Sequence, residues 1–116
     1  MLFAVVLISA CGSDGRSDPA TQAMNDSEAA TYEYVIPTGS GEALDAGTPL
    51  EILPAQLEVQ VGESIRIVNE DNRGHTVGPF FVGANETLSQ RFSSPGEFAG
   101  ACTVHTSGEF ALVVRP

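Results

Sequence analysis

The sequence predicts an all-β protein, with its strands arranged as a small antiparallel sandwich or barrel. Short runs in which apolar and polar residues alternate recur along the chain, and Gly, Pro or Asn residues separate them. This period of two is the pattern of strands that bury one face. No stretch keeps a helical apolar period over ten residues. Strands at this spacing are typical of β-sandwiches and barrels.

Each predicted strand has a local signal of its own. The β-rich run "YEYVI" ends at Pro37, so residues 32–47 are expected to form an edge strand and a loop. Phe98 and Cys102 lie on one face of a later strand, so a core-facing Phe98 places the sulfur at the edge of the interior. The predicted strands are residues 32–36, 57–61, 64–69, 87–92, 96–102 and 109–114.

Residues 1–11, "MLFAVVLISAC", form an apolar run that closes on small residues and a cysteine. The run is too short to span a bilayer as a helix and matches the apolar region of an export signal. Its last residues, "ISAC", resemble the lipobox of bacterial lipoproteins. The resemblance implies a lipid on Cys11 and a location in the periplasm, on the outer face of the bacterial cytoplasmic membrane. The alternative is an ordinary signal peptide with a chance cysteine.

Residues 12–31 are small, polar and acidic, and they predict a flexible tether. Residues 32–116 are then the folded domain, which is long enough to bury one modest core. If Cys11 is lipidated, Cys102 has no partner for a disulfide, because the chain has only these two cysteines. An unpaired thiol is a liability in an oxidising compartment, so its presence indicates that Cys102 has a function.

The charge balance of the chain disfavours two classes of binding partner. Fifteen acidic residues against five basic ones give a net charge of −10. This charge disfavours binding to nucleic acid and to an anionic membrane surface, so a lipid anchor is the only expected membrane contact. A basic docking partner is compatible with the charge, and plain solubility is the simpler explanation. The acidic turn at residues 69–71 is read as a solvated loop, with a docking surface as the alternative.

Cys102, His105 and His75 are the candidate metal ligands. His105 follows Cys102 by three residues, and His75 lies upstream, on what we expect to be a neighbouring strand. One thiolate and two imidazoles form the ligand set that suits copper in a trigonal electron-transfer site. Other chemistries fit less well. Structural zinc needs four ligands, covalent haem needs Cys-x-x-Cys-His, and a Cys–His nucleophile needs a third orienting group.

Two segments resemble the cupredoxins of the plastocyanin and azurin type. The first is "PAQLEVQVGESIRIVNEDNRGHTVGPF" and the second is "SSPGEFAGACTVH". The resemblance implies a Greek-key sandwich with one type 1 copper held by His75, Cys102 and His105. It also places Thr76 and Thr103 next to the ligands, where Thr76 would tie the two ligand loops together.

The chain departs from this family at the axial ligand. Cupredoxins usually have a weak axial methionine shortly after the second histidine, but here that stretch is "TSGEF" and the methionines are Met1 and Met24. Gly108 stands where a short ligand loop would place the methionine. Glu109 is the one nearby side chain able to ligate, and strand parity argues against it. An apolar or empty axial position would raise the reduction potential, whereas a glutamate would lower it.

The resemblance implies a monomeric one-electron carrier that serves redox protein partners and is not an enzyme. One alternative is a metal-binding accessory module for copper handling or iron uptake, with an open and exchangeable site. Another is an interaction domain that keeps the fold and has lost copper, which requires that His75 not converge with Cys102 and His105.

Overall fold

A computed structural model describes residues 19–25 and 27–116 of the chain. The predicted leader with Cys11, and most of the predicted tether, lie outside these residues. The described part contains a short helix and nine strands. They are β1 (Thr21–Ala23), β2 (Tyr32–Ile36), α1 (Ser40–Asp45), β3 (Gln56–Gln60), β4 (Ser64–Asn69), β5 (His75–Val77), β6 (Phe80–Val82), β7 (Thr87–Phe92), β8 (Gly96–Ala101) and β9 (Glu109–Arg115).

The strands form two main sheets and a hairpin. The first sheet has the order β1-β7-β4-β2 and the second has the order β3-β9-β8, while β5 pairs with β6. One core cluster contains residues from both sheets, including Ile65 and Phe92 of the first and Phe110 and Leu112 of the second. The all-β class predicted from the alternation is confirmed, and the strands predicted at 32–36, 64–69 and 87–92 have the observed bounds.

The sheets are mixed, whereas the sequence predicts purely antiparallel pairing. Strand β2 is parallel to β4, and β3 is parallel to β9. Parallel neighbours need a crossover connection, and both pairs join strands that are far apart in the chain. The connection from β2 to β4 contains α1 and β3. Local patterns predict strands, but they do not show which distant strands pair.

The folded unit begins before residue 32, inside the stretch predicted as a tether. Strand β1 pairs with β7, the Glu28 carboxylate accepts a hydrogen bond from Arg91 at 2.8 Å, and the carbonyl of Asn25 accepts one from Arg66 at 3.1 Å. Arg66 is only 8% exposed, so this acceptor satisfies a buried guanidinium. The segment has no apolar pattern because hydrogen bonds of its backbone and an ion pair, rather than core packing, attach it to the sheet.

Helix α1 stands where the sequence predicts a loop. Its six residues are too few to show an apolar period, and Gly39 precedes it with a left-handed φ of 91°. In residues 19–25 and 27–116, no helix is long and apolar enough to cross a membrane.

Replacing Phe110 by alanine is expected to lower the free energy of unfolding by about 3–5 kcal/mol, because removing a fully buried ring leaves a cavity in the core. Phe110 has 0% of its surface exposed, whereas Phe81 has 64%. The matched control Phe81→Ala is therefore expected to change the unfolding free energy by no more than about 0.5 kcal/mol. Urea unfolding measures both, and equal losses would contradict this placement of the core.

A chain that begins at Thr31 is expected to be less stable than one that begins at Pro19. The truncation removes β1 and leaves the buried Arg66 without its backbone acceptor. An unsatisfied buried donor costs about 1–3 kcal/mol. Denaturant midpoints of the two chains measure the difference, and identical midpoints would show that residues 19–30 add nothing to the fold.

Candidate metal centre

The structure places His75 and the Cys102 loop on neighbouring segments, as the sequence predicts. His75 begins β5, and a single antiparallel bridge pairs Cys102 with Val77 on the same strand. The Thr103 N–H donates to the carbonyl of Thr76 at 3.0 Å. The backbone of Thr76 therefore connects β5 to the segment that follows Cys102, and the predicted role of its side chain stays a prediction. Hydrogen bonds between main-chain groups hold the thiol loop against the histidine strand.

Cys102 is a free thiol in the interior. It is 2% exposed, so the predicted parity of Phe98 and Cys102 holds for the sulfur. Its N–H donates to the carbonyl of Gly108 at 2.9 Å, which closes the loop between β8 and β9. Burial raises the pKa of the thiol, and a hydrogen bond from the Val104 N–H opposes this rise. The metal-free thiol therefore stays protonated at neutral pH, and a bound cation would favour the thiolate.

His75 is buried, and both nitrogens of its ring have partners. It is 3% exposed, with Nε2 lying 2.8 Å from Asp71 Oδ2 and Nδ1 lying 2.9 Å from Thr103 Oγ1. A hydrogen bond with His75 holds the pKa of Asp71 down to about 2, so the carboxylate only accepts. Nε2 therefore carries the proton. In the neutral ring, Nδ1 then has the free electron pair and can accept from the Thr103 hydroxyl, which also lies 3.5 Å from the Thr76 carbonyl oxygen.

Asp71 belongs to the site although no sequence pattern predicts it there. The turn at residues 69–71 is expected to be solvated, but Asp71 and Asn69 are each only 1% exposed. The Asp71 carboxylate accepts hydrogen bonds from the N–H groups of Gly39 at 3.1 Å and Gly41 at 2.8 Å. The position of Asp71 four residues before a candidate ligand histidine is the sequence signal that could have identified it.

Asn69 fixes the turn that leads to His75. Its side-chain Oδ1 accepts from the Asp71 N–H at 3.0 Å, and its Nδ2 donates to the carbonyls of Arg73, Val82 and Gly83. A single buried amide therefore joins the end of β4 to the β5–β6 hairpin. The direction of the Asp71 side chain depends on this turn.

The ring of His105 is hydrogen-bonded to Ser107 rather than to His75 or the partners of His75. It is partly exposed, and its Nδ1 accepts from the Ser107 N–H at 3.0 Å and lies 2.8 Å from Ser107 Oγ. Because a backbone N–H can only donate, this Nδ1 also holds its electron pair free of a proton. In the part of the chain that the structure describes, no three His, Cys, Asp or Glu side chains are close enough to hold a metal ion.

The donor chemistry nevertheless fits copper. In His75 and in His105 the Nδ1 atom is an acceptor, and each now faces a hydroxyl that a metal ion would displace. The third donor is the buried Cys102 thiol, next to the strand of His75. Soft sulfur with two imidazoles is the donor set of a copper electron-transfer site. The assignment of these three ligands stays a prediction.

Gly108, where the resemblance would place an axial ligand, is exposed and carries no side chain. This residue has a left-handed φ of 76°, and a Cβ built on it would meet no atom within 4 Å. Glu109 is exposed and opposes Ala101 at the start of β9. Its orientation agrees with the parity argument against Glu109 as an axial ligand, which also stays a prediction.

Comparison with known proteins finds similarity only among solved structures. No family model matches the chain, and no curated protein matches it. A reduced Cu(I) form of an amicyanin variant is 18% identical with a TM-score of 0.48, over 83% of this chain and 92% of that chain. Amicyanin from Paracoccus versutus is 16% identical with the same TM-score and the same shares. A purple cupredoxin from Nitrosopumilus maritimus is 19% identical with a TM-score of 0.45, over 72% of this chain and 98% of that chain. The case for a copper site rests on the residues of this chain.

The metal-free chain is expected to lose stability as the pH falls from about 4 to about 2. The pKa of Asp71 is about 2 in the fold, against an ordinary value of 3.8. A carboxylate with a lowered pKa stabilises the fold above its unfolded pKa, and this contribution disappears as the pH falls through the folded pKa.

The measurement is the free energy of unfolding against pH for the wild type and for Asp71→Asn. The difference between the two should be largest above about pH 4 and shrink towards about pH 2. Glu70→Gln, which removes the exposed neighbouring acid, is the control and should keep the acid dependence of the wild type. A difference independent of pH would show that Asp71 is not an ionised partner of His75.

Proposed function

We propose that this chain binds one copper ion through His75, Cys102 and His105 and serves as a one-electron carrier outside the cytoplasm. The observation that supports this proposal is the pairing of the Cys102 loop with the strand of His75, with Thr103 Oγ1 lying 2.9 Å from His75 Nδ1. The arrangement sets a thiol and an unprotonated imidazole nitrogen on two segments joined by backbone bonds.

The residues of the chain have separate roles in this proposal. Copper, when bound, supplies a one-electron couple between Cu(I) and Cu(II). Asp71 holds the His75 proton on Nε2, which keeps the Nδ1 electron pair for the metal. The interior around Cys102 excludes water from the sulfur. Gly108 supplies no side chain, so the potential is expected to lie on the high side.

The proposed role is a carrier without a catalytic activity of its own. With a net charge of −10, a basic surface on the redox partner would favour docking. We also propose that a lipid on Cys11 anchors the chain to the outer face of the bacterial cytoplasmic membrane. The support for this anchor is the sequence "ISAC" alone, which lies outside the described residues.

One observation favours a second candidate, an interaction domain that keeps the fold without copper. Both ring nitrogens of His75 are already satisfied by Asp71 and Thr103. Nitrogens with protein partners suit a histidine that holds a core together. A metal-binding accessory module with exchangeable copper is the third candidate, and the free space around Gly108 would leave room for an exchangeable ligand.

Copper titration of the chain without residues 1–11 distinguishes the copper carrier from the copper-free interaction domain. This chain retains β1 and has Cys102 as its single thiol. We expect an intense thiolate-to-copper charge-transfer band that saturates at one equivalent of Cu(II). The band should be absent in Cys102→Ala and weakened or shifted in colour in His75→Ala and His105→Ala.

The alternative outcomes are equally definite. No band in the wild type, or a band that Cys102→Ala retains, would contradict the carrier and favour the interaction domain. A band that a weak chelator removes within seconds, without a reversible redox couple, would favour the accessory module. Voltammetry of the copper-loaded chain shows whether the redox couple is reversible.

A further inference from the structure

We propose that the loop that enters helix α1, formed by Gly39 and the first two helical residues Ser40 and Gly41, positions His75 through the carboxylate of Asp71. No sequence pattern predicts a chemical role for this loop, and it lies in neither of the two segments that hold the candidate ligands. Its significance for copper rests on the proposed function. Its effect on the His75 ring does not, because that effect exists in the metal-free chain.

The carboxylate of Asp71 has a donor on each oxygen. The Gly39 N–H donates to Oδ1 at 3.1 Å, and the Gly41 N–H donates to Oδ2 at 2.8 Å. His75 Nε2 reaches the same Oδ2 at 2.8 Å. Gly39 is left-handed, which turns two nearby amides of a short loop towards one anion. The two amides therefore prevent the carboxylate from rotating away from the ring.

Gly41 allows this close approach because it lacks a side chain. A Cβ at this position would lie 2.6 Å from Arg73 Cδ and 2.9 Å from Asp71 Oδ2. Gly41 is also buried. An alanine at position 41 would therefore push both on Arg73 and on the carboxylate that holds His75.

Arg73 fixes the other side of the loop. Its guanidinium donates to the carbonyl of Gly41 at 3.2 Å and to both oxygens of Asp45, at 3.1 and 2.6 Å. The arginine thus links the end of α1 to the turn that precedes His75. Helix α1, the loop and the turn consequently form one support behind the imidazole.

The position of the Asp71 carboxylate affects which nitrogen of the His75 ring carries the proton. With its carboxylate held by the two amides, Asp71 favours the Nε2–H tautomer of the neutral His75 ring, in which Nδ1 faces Thr103 without a proton. If the carboxylate shifts, the proton is free to occupy either nitrogen. The Nδ1 electron pair is then present in only a fraction of the molecules. Gly39 and Gly41 are therefore positioning residues for His75, and neither is a ligand.

The experiment measures the His75 tautomer by ¹⁵N NMR in the metal-free chain without residues 1–11, at one fixed pH near neutrality. The wild type should show a single Nε2–H tautomer, and Gly41→Ala should show a mixture. The matched control is Gly47→Ala, at the other end of α1. Gly47 has a φ of 79° and open space around a built Cβ, so this alanine strains the backbone without touching Asp71. It should leave the tautomer unchanged.

A double-mutant cycle tests whether Gly41 acts through Asp71. In an Asp71→Asn background, Gly41→Ala should have no further effect on the tautomer, because the two changes disrupt one pathway. Asp45→Ala releases Arg73 without adding an atom to the interior, and it should shift the tautomer less and in the same direction. This second variant keeps the test decisive if Gly41→Ala does not fold.

Unchanged tautomers in the folded variants would overturn the proposal, as would an effect of Gly41→Ala that persists in the Asp71→Asn background. The dissociation constant for Cu(II) is a separate readout, and Gly41→Ala should raise it by about 10–100-fold. If the wild type binds no copper while the tautomer shifts as expected, the carrier function fails and the positioning of His75 stands.

Discussion

A buried carboxylate is the constraint on which the rest of this site depends. An ionised side chain in the interior is costly unless it is paired and fully hydrogen-bonded. Asp71 meets this condition with the amides of Gly39 and Gly41 and with His75 Nε2. These donors come from two separate parts of the chain, so the charge is compensated only when both have folded. The hydrogen bonds that offset the cost of burying the Asp71 carboxylate also fix the orientation of the His75 ring.

The candidate site lies where the β5–β6 hairpin meets the second sheet. One bridge, between Val77 and Cys102, and the bond from the Thr103 N–H to the Thr76 carbonyl join the two. Strand parity turns the Cys102 sulfur inwards at this seam. His105 follows in the loop, where Ser107 holds its Nδ1. The thiol is therefore fixed by the core, whereas the second imidazole is fixed only by a short turn.

The metal-free geometry is consistent with a chain that exchanges hydroxyl bonds for a metal ion. Thr103 and Ser107 each place a hydroxyl at a histidine Nδ1. These bonds satisfy the nitrogens without burying a charge, so releasing them costs less than breaking an ion pair. Asp71, by contrast, bonds the opposite nitrogen of His75, where no ligand is needed. Asp71 and the proposed metal ion would thus bind different nitrogens of the His75 ring.

The sequence by itself determined the all-β class, most strand positions and the inward direction of Cys102, because alternation and spacing are local properties of the chain, whereas the three candidate ligands stay a prediction. It did not determine the parallel pairs β2–β4 and β3–β9, the edge strand β1, helix α1 or the burial of Asp71. An aspartate in an acidic turn has the composition of a solvated loop. Only the tertiary structure decided otherwise, since the amides and the imidazole that compensate its charge come from elements that meet it only after folding.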